Sequence, residues 1–94
     1  MLPAVLAEIL GTFFFISVIL ATGEALSIGA ALAVAIWAFS KVSAGSFNPA
    51  VSIVLFLKGA LDSQTTAAYV IAEVIGGILA FLWWKNTIGA KKRS

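Results

Sequence analysis

Residues 2–21 run for roughly 20 positions with a single charge, Glu8, which is the length a helix needs to cross a hydrocarbon core of about 30 Å. A soluble chain of this size has nowhere to put such a segment, because short domains bury the smallest fraction of their surface. The remainder is no more polar: 62% of the 94 residues are apolar and 11% charged. The segment therefore reads as a membrane span. A cleaved secretory signal wants a basic leading region and a shorter apolar stretch, whereas the early charge here is acidic.

The same composition removes whole classes of function. There is no cysteine, hence no disulfide scaffold, thiolate metal site or Cys nucleophile, and no histidine to serve as general base or metal ligand. A net charge of +2, scattered along the chain, gives no nucleic-acid footprint. The expectation is a membrane protein without catalytic residues, metal or other cofactor, and not an enzyme.

Two further spans follow, at about 25–40 and 65–84 by length and hydropathy. The second is rich in small residues (Gly29, Ala30, Ala31, Ala33, Ala35, Ala38), and the third carries Ala72, Gly76 and Ala80 at four-residue spacing. Small side chains let helix backbones approach closely in lipid, where no hydrophobic force drives association. Asp62 or Ser63 can cap the third span, and Trp83, Trp84 and Lys85 read as an interfacial belt at its end. A basic tail then occupies 85–94.

One segment fits neither span nor loop. Ser43-Ala44-Gly45-Ser46 reads as a turn, Asn48 as an N-cap and Pro49 as a first helical residue; Lys58 and Gly59 supply the cation and left-handed residue that suit a helix end. A helix over 48–58 is about 15 Å long, half a bilayer. It either re-enters the membrane or lies along the interface. An interfacial helix needs a strongly polar face, and this one offers only Ser52 and Lys58, which favours re-entry.

At these residues the chain resembles the amino-terminal half of an aquaporin-type major intrinsic protein. Asn48-Pro49-Ala50 matches that family's signature within Phe-Asn-Pro-Ala-Val-Ser. Ala7-Glu8-Ile9-Leu10-Gly11-Thr12-Phe13-Phe14 resembles the family's first helix. Tyr69-Val70-Ile71-Ala72-Glu73-Val74-Ile75-Gly76-Gly77 is similar to its third, where Gln is commoner at the position of Glu73. The resemblance implies an all-α integral membrane fold: a single half-aquaporin domain over 1–94, with three transmembrane helices and one re-entrant half-helix, completed by an antiparallel dimer. It implies a passive channel for water and small neutral solutes such as glycerol, the pore formed by two inverted copies. A partner-dependent or non-conducting subunit that pairs with another aquaporin half is the alternative. A small proton-coupled transporter using Glu8 or Glu73 is a third reading.

Asn48 is the first functional candidate, its amide NH2 donating to a passing oxygen, while Pro49 and Ala50 are structural members of the motif. Glu8 and Glu73 are acids inside spans, where a polar partner is the rule. The resemblance assigns Glu8 to the backbone amides of the turn before Asn48. Val51 stands where the family's second half usually has Arg, and Ile28 and Ile36 resemble other filter positions. Together with Ser46 these are the lining or constriction candidates.

Partners follow from the same reading: membrane lipid, a second copy in antiparallel orientation, and eight chains in a tetramer of pores, with no nucleic acid. Lys41, Lys58 and the α-amine lie on one side of the multi-pass arrangement, and Lys85, Lys91, Lys92 and Arg93 on the other. The positive-inside bias is therefore small and points to a cytoplasmic C-terminus, opposite to the family's first half. Insertion in both orientations is the hypothesis this near-balance raises.

Overall fold

The computed structural model describes residues 1–93; Ser94, the end of the expected basic tail, lies outside the described residues, as do the side chains of Lys92 and Arg93. Every regular element among them is helical: α1 (Leu2–Thr22), α2 (Ala25–Phe39), α3 (Pro49–Lys58), α4 (Ser63–Asn86) and the short α5 (Ile88–Arg93).

The boundaries have local causes. Gly23 closes α1 in the left-handed conformation at φ 60° and returns its N–H to the Ile19 carbonyl. The Glu24 carboxylate begins α2 by accepting from the Leu26 amide at 3.1 Å and the Ser27 hydroxyl at 2.7 Å; the Ser27 hydroxyl above all holds it below its ordinary 4.5. Asp62 opens α4 by accepting from the Thr65 amide at 2.7 Å, a bond that pulls its carboxyl below 3.8. That cap extends α4 two residues N-terminal to the span expected from hydropathy, and the helix continues through Lys85 to Asn86. Among the described residues, only α1 and α4 are long and apolar enough to cross a membrane alone. The 15 residues of α2 rise about 22 Å, and the turns at Ser40–Val42 carry the chain onward.

Helices α1 and α4 form the main seam. Glu8 faces Glu73, Ile9 and Thr12 meet Gly76, and the Phe13 ring stands edge-on to Trp83 at 6.5 Å. Residue numbers rise together along both helices, so the two run in the same direction, and α2 returns against α1. A Cβ on Gly76 would come within 2.6 Å of the Ile9 carbonyl oxygen and 3.0 Å of Thr12 Cβ, so the crossing is as close as a helix without a side chain allows. Ala72 and Ala80, one turn to either side, are buried as well. At the far end, past a turn at Thr87, Gly89 of α5 packs against the Trp84 ring.

The interior is made of small and polar groups. Ala, Ser, Thr and the two glutamates are buried, while Leu26, Trp37, Leu57 and many other large apolar side chains face outward, Trp37 at 82% exposure. A water-soluble domain does the reverse. This is the pattern expected where the surroundings are as apolar as leucine and helices associate through close backbone contact.

Two adjacent glycines test the seam. Gly76→Ala should lower the thermal stability of the chain in detergent by about 1–3 kcal/mol, the usual cost of overpacking. Gly77→Ala, where a Cβ meets nothing within 4 Å, should leave it unchanged or slightly raised. Equal effects at the two positions, measured by circular dichroism on heating, would contradict the packing described.

Candidate functional site

The site is built around the segment from Ser43 to Ser52, which leaves α2, turns inside the molecule and starts α3. Its first anchor is Glu8, 0% exposed. Glu8 Oε2 accepts from the Ser43 hydroxyl at 2.6 Å, and Oε1 accepts from the Phe47 backbone amide at 2.9 Å. The Ser43 oxygen accepts in turn from the Gly45 amide at 3.1 Å, and the Tyr69 hydroxyl accepts from the Ala44 amide at 3.3 Å. Irregular backbone at membrane depth must have its polar groups satisfied by protein, and these bonds do so for the amides of Ala44, Gly45 and Phe47.

Phe47 is the second anchor. It is a non-glycine residue in the left-handed region, at φ 52°, a conformation that costs energy and persists only where the surroundings hold it. Its ring, 1% exposed, fills the space beside Gly11, where a Cβ would lie only 2.1 Å from a ring carbon, and packs edge-on to Phe39 at 6.1 Å. The third anchor is Glu73, whose Oε2 accepts from the Ser52 hydroxyl at 2.8 Å and ties the first turn of α3 to α4.

Together these fix the depth of the α3 N-terminus. Glu73 lies ten residues into α4, so the level it shares with Ser52 is about 15 Å from the start of that helix, half of a hydrocarbon core. The half-helix therefore begins about half-way along α4, as a re-entrant helix would. Asn48 caps it, Oδ1 accepting from the Ala50 amide at 2.8 Å, which leaves the carboxamide NH2 of this exposed residue as a donor. Beside it lies the positive end of the α3 helix dipole.

The remaining sequence candidates are dispersed. Pro49 is half-buried and Ala50 exposed; Val51 and Ile36 are exposed on this chain, and Ile28 is half-buried. Ser46 is buried, and its hydroxyl has no hydrogen-bond partner. Among the phenylalanines of α1, Phe13 and Phe14 line an apolar cleft of about 410 Å³ with Val18 and Trp83, away from Asn48. Sequence reasoning passed over Tyr69, Ser52 and Phe47 as parts of the site. A buried-acid reading of Glu73 calls for a donor, but nothing in spacing says that Ser52 supplies it.

A chain whose half-helix begins with Asn-Pro-Ala at mid-depth, strapped to two glutamates, invites comparison with known proteins. The profile of the family described as "Major intrinsic protein" matches residues 20–93. The chain belongs to that family. Glycerol uptake facilitator protein-like 6 of Lactiplantibacillus plantarum is 37% identical over 94 residues, covering 90% of this chain and 44% of the relative. Aquaporin Z of Photorhabdus laumondii is 37% identical over 95 residues (85% and 41%), and aquaglyceroporin AqpS of Rhizobium meliloti 36% over 88 residues (77% and 38%). The chain thus spans less than half the length of these curated relatives. No solved structure gives a significant match. Major intrinsic proteins are channels of the membrane, not enzymes, so the apolar helices of this one belong to an integral membrane protein.

Gly11→Ala should force the Phe47 ring out of its place and loosen the re-entrant segment, again at about 1–3 kcal/mol. Because the sequence has no cysteine, a single cysteine at the exposed Ala50 position reports this directly: its labelling rate should rise in the Gly11→Ala background. An unchanged rate would mean that Phe47 does not position the segment.

Proposed function

We propose that this major intrinsic protein forms half of a passive channel for water and small neutral solutes such as glycerol, the other half being an inverted second copy. The observation that carries the reading is the α3 N-terminus: it is held at half-depth, with an Asn48 NH2 group left as a donor. One half-helix does not make a pore. Its positive dipole end and the Asn48 carboxamide NH2 call for a polar counterpart, since such groups are costly in hydrocarbon. A second α3 arriving from the opposite leaflet supplies one and brings two Asn48 donors to a common centre.

In such a pore the oxygen of a passing water or alcohol accepts from Asn48, and the two opposed dipoles raise the potential beside it. Disfavouring cations and protons in this way is the role generally given to half-helix dipoles in aquaporin-type pores. The names of the relatives carry both solutes, glycerol and water. Val51, Ile36 and Ile28 are all apolar, so a pore lined by them has no fixed cation at its constriction and admits small alcohols alongside water. Four such pores in the family's tetrameric arrangement would take eight chains. The second reading, a subunit that pairs with a different aquaporin half, rests on the same α3 and differs only in who supplies the counterpart.

Osmotic shrinkage of liposomes decides between them. Vesicles holding the purified chain should shrink faster than empty ones and with low activation energy. Asn48→Asp should abolish the gain: aspartate still caps the helix, but replaces the NH2 donor with a carboxylate that a neutral solute cannot use in the same way. No gain from folded, oligomeric protein would remove the self-paired channel and leave the partner-dependent subunit.

A further inference from the structure

Glu73 Oε1 is buried and makes no hydrogen bond, although Oε2 of the same carboxyl accepts from Ser52. The group it faces across the seam is Glu8, whose two oxygens already accept from Phe47 and Ser43. Tyr69 on the same helix and the Asn48 backbone amide also lie beside Glu73. None of these groups is a cation. Lys41 and Lys58 are exposed, the latter at the opposite end of α3.

Two ionised carboxylates face to face, buried and with no cation named among their described neighbours, form an arrangement that proteins do not sustain. One hydrogen placed between them resolves it. The hydrogen turns the unpartnered Oε1 from an acceptor with nothing to accept into a donor, removes one of the two charges, and makes a short O–H···O⁻ bond of the stronger class. We infer that Glu8 and Glu73 together bind a single proton, carried on Glu73 and donated to Glu8. The pair is thereby a clamp: Glu8 holds Ser43 and Phe47, Glu73 holds Ser52, and the shared proton closes the loop across α1, α4 and the re-entrant segment. The inference does not depend on what the channel carries, or on whether it conducts.

Infrared spectra of the full chain in lipid at pH 7 test it. The four acidic side chains are Glu8, Glu24, Asp62 and Glu73. The expected spectrum shows one of these four as a protonated carboxyl, its C=O band shifted to lower frequency in D2O. The band should be lost in Glu73→Gln, where the amide NH2 replaces the acid as donor to Glu8 at nearly the same size. It should persist in the double variant Glu24→Gln/Asp62→Asn, which removes only exposed acids. Absence of the band in the unmodified chain, its survival in Glu73→Gln, or its loss in the double variant would each overturn the shared proton. If Glu73→Gln does not fold, the other two spectra still decide.

Discussion

The bond from the Phe47 amide to the Glu8 carboxylate is the contact on which the rest of the structure turns. A chain that stops half-way through a membrane exposes backbone amides where no water can satisfy them. Every other feature of a re-entrant helix presupposes that this cost has been met. Glu8 meets it from α1, taking Phe47 directly and Ser43 through its hydroxyl, while Ser43 and Tyr69 take the amides of Gly45 and Ala44. The same bond helps to hold Phe47 in a left-handed conformation, and that conformation sends its ring into the gap at Gly11. Electrostatics, backbone strain and packing are thus settled at one residue, and the direction in which α3 leaves the turn follows from it.

The seam between α1 and α4 serves the same end. Glu8 and Glu73 can reach one another, and both can reach the segment between them, only because Gly76 brings the two backbones nearly into contact. A larger residue there would separate the glutamates before it affected anything else. The small-residue interface is therefore more than a way for helices to associate in lipid. It sets the width of the polar compartment in which the re-entrant turn is anchored, and this explains why the buried set of the molecule, Phe47 and Tyr69 apart, is made of small residues and the two glutamates.

Much of this architecture can be read from local pattern. Asn48-Pro49 and Lys58-Gly59 bracket α3 because capping is a property of adjacent residues, and the helix begins and ends where those signals stand. The four-residue spacing of Ala72, Gly76 and Ala80 marks a face of α4 for the same reason. Hydropathy places α2 well but makes it one residue too long, since a hydropathy window cannot see the turn that begins at Ser40. The anchoring contacts are less legible. Glu8 lies 35 residues from Ser43 and 39 from Phe47, and Ser52 lies 21 from Glu73, so no periodicity connects the partners. Intramembrane acids announce that a partner exists; which hydroxyl or amide answers is decided by the crossing of α1 and α4. The positive φ of Phe47 has no sequence signal at all, because the residue types that favour that region are Gly and Asn.

If two inverted copies do complete the pore, their identity constrains its chemistry. Whatever one α3 presents to the pore, the other presents as well, so a constriction cannot combine one cationic wall with one apolar wall. On α3 the only cation is Lys58, at the C-terminal end of the helix and remote from Asn48. The electrostatic barrier at the centre would then rest wholly on the two helix dipoles and the orientation that Asn48 imposes on the solute, without help from a side-chain charge. Dipole ends act over about the first turn and carry roughly half an elementary charge, so the barrier is both shorter and lower than one reinforced by arginine. A symmetric pore of this kind would separate neutral from charged solutes chiefly by the cost of stripping their water against apolar walls. That cost grows with charge and hardly at all with an added hydroxymethyl group that can still accept from Asn48. On this argument, tolerance of small polyols is the natural consequence of building both halves of a channel from one sequence.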